Sequence, residues 1–157
     1  MNAKIYAQQD CNYRHITDTI NMLAAAVHEV NPDAQPDPVK ALQAITLAVT
    51  GARKDLYFAV AEVNGITAGF IGGALSNFAF EDRTYGQDIL TYVLPEHRGT
   101  TAERDLSEQF VGWCFGMGAS EVRGYLTNIE NAERFARAAT RYGWETQGTI
   151  IVRKRGE

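Results

Sequence analysis

A mixed α/β (α+β) fold, with a mostly antiparallel central sheet flanked by helices, is what these 157 residues predict, and three features carry the expectation. Asn64-Gly65 separates two runs rich in β-branched and aromatic residues. Both central residues of a type I′ turn need positive φ and this dipeptide tolerates it, so the flanking runs are predicted to be antiparallel neighbours. An apolar run over 87–94 ends at Pro95 and leads through a polar turn holding Arg98-Gly99 into a helix. A further strand pattern over 122–127 follows that helix, and a strand, a crossover helix and a strand imply a parallel pair. The length suits one domain spanning 1–157.

In chain order, residues 4–8 form a short strand candidate. Ile16, Ile20, Leu23, Val27 and Val30 step by four and three, which predicts a first helix with that face in the core. Asn31-Pro32 ends it, because a residue before proline is pushed out of helical geometry. Asp37-Pro38 places an N-cap before proline at the first helical position, and Val39, Leu42, Ile45 and Val49 mark a second helix closed by Gly51. Strands follow over 56–63 and 66–75. Gly69, Gly72 and Gly73 inside the second suggest a bulge, a close approach to the backbone or, more blandly, a bend that relieves twist. Residues 76–86 read as a solvated loop. The 87–94 strand is apolar at both parities and is expected in the sheet interior with both faces covered. Ala102, Leu106, Phe110, Cys114 and Met117, with Trp113 beside them, give the third helix its stripe, and Gly118 caps it. A fourth helix is expected over 131–142, with Phe135, Ala138, Ala139 and Tyr142 on its apolar face. Strands at 144–146 and 149–153 are expected to close the sheet, and the exposed end of the latter offers an edge for a homodimer.

Composition narrows function. A net charge of −4 argues against nucleic acid as a partner, since phosphate contacts require a basic face. Arg153-Lys154-Arg155 reads as a solvated end. No run approaches 18 uninterrupted apolar residues, and no basic leader precedes an apolar one, so no membrane is expected and the location should be cytoplasmic. Cys11 and Cys114 are expected to be reduced thiols, and no metal-ligand cluster appears. His15 and His28 read as surface residues.

The third helix begins where the chemistry is expected, because its first turn presents unpaired N–H groups and the positive dipole end to an anion. The order of elements, with Val93, Pro95, Arg98 and Gly99 matching Val-x-Pro-x-x-Arg-Gly-x-Gly-x-Gly, resembles the GNAT family of acyl-CoA-dependent N-acetyltransferases. The next two glycines of that pattern fall on Thr101 and Glu103, a divergence similar to that of GNAT-like proteins of bacteriophages. The resemblance implies acetyl-CoA as co-substrate, held by Val93, Leu94, Arg98, Gly99, Thr100, Thr101, Ala102 and Arg104. Asn131 then meets the pantetheine arm or simply caps its helix. Thr100-x-x-Glu103 also reads as a capping box, whose carboxylate would repel a pyrophosphate unless Arg98, Arg104 or His97 offsets it.

For the reaction, Asp88 falls where family members often carry a general base, and Gln87 beside it cannot take a proton. An ordered water is the alternative acceptor. The family's thiol-protonating tyrosine falls on Ala139 or Ala138 here. Tyr142, one turn on, is the substitute candidate, or else a core-facing aromatic. Two functions stand: acetyl transfer to an amine on a small molecule or protein, and non-catalytic binding by a GNAT-like protein with a degraded cofactor loop.

Overall fold

The computed structural model describes residues 1–125, 132–148 and 150–155, in two compact units, Met1–Tyr125 and Leu126–Glu157. The first unit holds a five-stranded sheet in the order β1-β2-β3-β4-β5. Its strands are Lys4–Ala7, Leu56–Val63, Ile66–Asn77, Thr84–Val93 and Glu121–Arg123. The first three pairings are antiparallel and β4–β5 is parallel, as the crossover requires. Asn64 and Gly65 take φ of 53° and 75°, and so form the tight turn between β2 and β3.

Side-chain alternation divides the core in two. Tyr57, Ala59 and Ala61 face α3 (Ala102–Gly116), where Leu106, Phe110 and Cys114 are fully covered. Phe58 and Val60 face α1 (Tyr13–Val30) and α2 (Pro38–Val49), meeting Met22, Ala26 and Ala48. The glycines of the sheet let α3 sit down on it. A Cβ on Gly73 would lie 2.4 Å from the Phe110 ring and one on Gly86 2.3 Å from the Cys114 sulfur, while one on Gly69 would meet the Tyr92 carbonyl oxygen at 2.4 Å. At Gly69 and Gly73, close approach outranks the bend that relieves twist.

Several expectations are corrected. On α1 the buried stripe is His15, Thr19, Met22, Leu23 and Ala26, whereas Ile16, Ile20 and Val27 are half-buried and Val30 is exposed. The face is rotated because polar groups there are satisfied. His15 is wholly buried, accepts from the Asn12 N–H at Nδ1 (3.1 Å) and has Nε2 3.1 Å from Glu62, and the Thr19 hydroxyl donates to the His15 carbonyl at 2.8 Å. On α2, Asp37 caps as expected, but Val39 and Leu42 are exposed. The loop before β4 shrinks, since β3 reaches Asn77 and β4 starts at Thr84. Most of β4 is only half-covered rather than interior on both faces, and Met117 is exposed beyond the end of the α3 stripe.

In the second unit, α4 (Ala132–Thr140) is followed by Gly143 at φ +85°, and Phe135 and Tyr142 are exposed. Residues 144–148 and 150–155 form no strand, although Ile150, Ile151 and Val152 favour extended backbone. No ladder partner for them lies among the described residues, and β-propensity alone does not make a strand. Residues 126–131 and 149, which include part of the predicted fifth strand, lie outside the described residues.

Candidate active site at the bulge of β4

The pairing of β3 with β4 slips by one residue between Gly72 and Gly73, whose partners are Leu90 and Asp88. Ile89 is therefore the extra residue of a β-bulge, and it is 63% exposed. In a regular strand residues three apart lie on opposite faces. The bulge instead puts Asp88, opposite Gly73, on the α3 face together with Thr91, opposite Ile71. Their side chains meet there, with the Thr91 hydroxyl donating to Asp88 Oδ2 at 2.8 Å. Asp88 Oδ1 is buried and has no hydrogen-bond partner among the described residues. Burial pushes the Asp88 carboxyl up to about 6, against the pull of the Thr91 hydrogen bond.

Backbone parity opens the same place. The Leu94 N–H donates to the carbonyl of Ala68 in β3, so Leu94, Tyr92 and Leu90 pair toward β3 while Thr91 and Val93 turn their backbone groups to the other edge. β5 pairs only with Tyr85, Gly86 and Gln87. The Val93 carbonyl accepts from Arg98 Nε at 3.0 Å, whereas the Thr91 N–H and C=O have no strand partner among the described residues.

The first turn of α3 borders this edge. Thr101 is the residue preceding the helix, which makes Glu103 its second residue rather than its third, and the expected capping box is absent. The Thr100 N–H donates to the His97 carbonyl at 3.1 Å instead, and the Thr100 hydroxyl accepts from the Ala102 N–H at 3.3 Å. Glu103 is half-buried. Desolvation raises its pKa, opposed by the Arg98 charge and reinforced by the carboxylates of Glu29 and Asp88. Arg98 is committed to structure, donating to Glu29 at 2.6 Å and lying over the Tyr92 ring.

The remaining predicted residues fall as follows. Val93 and Ala102 are buried core, and Leu94 packs against the α1/α2 cluster. The Thr101 N–H donates to the Met1 carbonyl at 3.2 Å and its hydroxyl accepts from the Ala3 N–H at 2.9 Å. The Arg104 guanidinium binds Asp105. Gly99 has ordinary φ, and a Cβ there would meet nothing within 4 Å, so neither backbone nor packing demands glycine. Tyr142 stands exposed in the second unit, and Asn131 lies outside the described residues. Sequence reasoning missed Thr91, Glu29 and the Met1–Ala3 strap. The Asp88–Thr91 pair stayed hidden because the bulge that Gly72-Gly73 suggests in β3 carries its extra residue, Ile89, on β4.

No family model matches the chain, and no curated protein matches it in sequence. Solved structures do match in fold. A ribosomal-protein-alanine N-acetyltransferase from Brucella melitensis biovar Abortus aligns at 16% identity and TM-score 0.71, covering 98% of this chain and 99% of that one. Glucosamine-6-phosphate N-acetyltransferase from Arabidopsis thaliana aligns at 12% identity and TM-score 0.69, with 96% and 98% covered. An aminoglycoside N-acetyltransferase in complex with CoA aligns at 18% identity and TM-score 0.68, with 99% and 98% covered. At these identities the likeness is one of fold, and it is consistent throughout: a mostly antiparallel sheet, bulged in β4 and flanked by helices, gives this chain the fold of the GNAT N-acetyltransferases.

Proposed function

We propose that this protein is an N-acetyltransferase that uses acetyl-CoA to acetylate a primary amine on a small molecule or protein, with Asp88 as the base. The observation that carries the reading is the buried, unpartnered Asp88 oxygen at the β4 bulge, on a fold shared with N-acetyltransferases. A carboxylate with a pKa near 6 is ionised at neutral pH yet basic enough to take a proton from a bound ammonium, the regime in which general-base catalysis is efficient.

The residues present fit acetyl-CoA at two places. The open edge of β4 at Thr91 can pair with an extended amide-bearing arm, and Gly99 leaves room for phosphates beside the α3 N-terminus. When bound, the group supplies an activated thioester carbonyl. The chain's own part is to hold the amine at Asp88, to offer the Thr91 N–H as a donor to developing negative charge, and to exclude water between α3 and β4. Thr100, Thr101 and Arg104 around the turn, Asn131 on the arm and Tyr142 as donor to the departing thiolate belong to the proposal through the family resemblance. Buried, unbridged Cys11 and Cys114 agree with a cytoplasmic setting.

One set of observations favours the non-catalytic reading: Glu103 in the first turn of α3, and a Thr101 N–H already given to Met1. CoA release measured with a panel of amines separates the two. Asp88→Asn is expected to lower kcat/KM at least 100-fold and to abolish a limb that rises with pH through about 6. Absence of acetyl-CoA binding by wild type and Glu103→Gln alike would leave binding without catalysis.

A further inference from the structure

β1 is an edge strand, and its outer side is the floor of a groove of about 830 Å³ whose far wall is α3. Parity fixes which backbone groups face it. Gln8 bonds the Leu56 carbonyl and the Phe58 N–H through its side-chain amide, so even-numbered residues of β2 face β1. Their partners Lys4, opposite Glu62, and Tyr6, opposite Val60, carry the pairing rungs. Ile5 and Ala7 therefore turn outward. Met1 and Ala3, of the same parity, already use that side, since the Met1 carbonyl and the Ala3 N–H both bond Thr101. The Thr101 backbone and hydroxyl act as the first rung of a ladder that stops after one residue. The Ile5 N–H and C=O and the Ala7 N–H are its next rungs, without partners among the described residues.

The groove's chemistry selects what would continue the ladder. Trp113, half-buried and with its ring 5.0 Å from that of buried Tyr57, supplies an apolar aromatic surface for alternate side chains. Glu108 and Asp10 are exposed carboxylates on its rim, and Asp105 lies there partly neutralised by Arg104. Lys4 is the only basic residue lining it among the described residues. We propose that β1 and the flank of α3 form a docking site for an extended segment of a basic partner protein, which adds as a strand beside Ile5 and Ala7 and sets its cations against Glu108 and Asp10. The site is on the sheet edge opposite the β4 bulge, so the inference stands independently of acetyl transfer.

The probe is a blocked hexapeptide of alternating valine and arginine, added to the full chain and followed by NMR amide exchange and titration. Expected are slowed exchange at the Ile5 and Ala7 N–H groups with no change at Lys4 and Tyr6, and binding weakened about five-fold or more by Glu108→Lys, an exposed position that leaves folding intact. Equal binding by a backbone N-methylated peptide or by an alternating valine and glutamate peptide overturns the proposal, as does binding without protection at Ile5 and Ala7. Protection of the same amides on concentrating the protein alone makes a second copy the occupant and overturns the basic partner.

Discussion

Replacing Asp88 by asparagine is expected to stabilise the fold while removing its base. In the folded chain the carboxyl titrates near 6 because it is buried, against 3.8 for the free group. A carboxyl whose folded pKa is raised destabilises the native state once it ionises, so the cost is absent below about 3.8, grows between the two values and is complete above 6. At about 1.4 kcal/mol per pH unit, the full cost is roughly 3 kcal/mol. The asparagine keeps an acceptor for Thr91 but presents an amide where Oδ1 has no partner, which returns about 1 kcal/mol. Urea unfolding should therefore show Asp88→Asn more stable than wild type by about 1 to 3 kcal/mol at pH 8, with the advantage smaller by about 1.4 kcal/mol at pH 5, where the carboxylate cost is roughly halved and the amide cost is unchanged. A difference that does not change with pH, or a variant less stable at pH 8, would refute the account of Asp88 as a buried, unpaired charge.

Glu103→Gln removes a negative charge from the first turn of α3, so acetyl-CoA should bind more tightly by about 0.3 to 1 kcal/mol in calorimetric titration at low salt, with the gain fading as salt is added. Because burial raises the Glu103 pKa, wild-type affinity should fall as pH rises through it, while the glutamine form stays level. Phe110→Ala empties the space above Gly73 and should cost about 3 to 5 kcal/mol; a loss below 1 kcal/mol would place that face in solvent. His15→Leu deprives Glu62 of one buried partner and the Asn12 N–H of its acceptor, at a cost of about 2 kcal/mol or more by thermal or urea unfolding.

The features legible in the sequence are those written locally. Asn64-Gly65, Asp37-Pro38 and the four-residue spacing from Ala102 to Cys114 each encode geometry within a few residues, and each appears as read. The α1 face was rotated because hydrophobicity cannot register that His15 and Thr19 find hydrogen-bond partners inside. The capping box failed by one residue, since the Met1–Ala3 contact, remote in sequence, helps decide where α3 begins. Asp88 could be named from its residue type and place before the Val93-x-Pro95 motif. Its environment could not, because Thr91 and Glu103 reach it only through the bulge and the packing of α3.

Ile89 has a consequence for how this strand can change over time. Its side chain is mostly in solvent, so replacing it with another β-compatible residue should matter little. Deleting it would act on the backbone instead, because the extra residue is what bends and twists the strand there. Loss of that one residue would leave Asp88 and Thr91 two positions apart, so both halves of β4 would keep their side chains on the α3 face in a regular strand. Gly86 would stay against Cys114, and Val93 in the α3 core, while the bend between the carboxylate and the hydroxyl would be lost. The position is thus permissive to substitution, whereas its loss would straighten the strand at Asp88 without turning any side chain over.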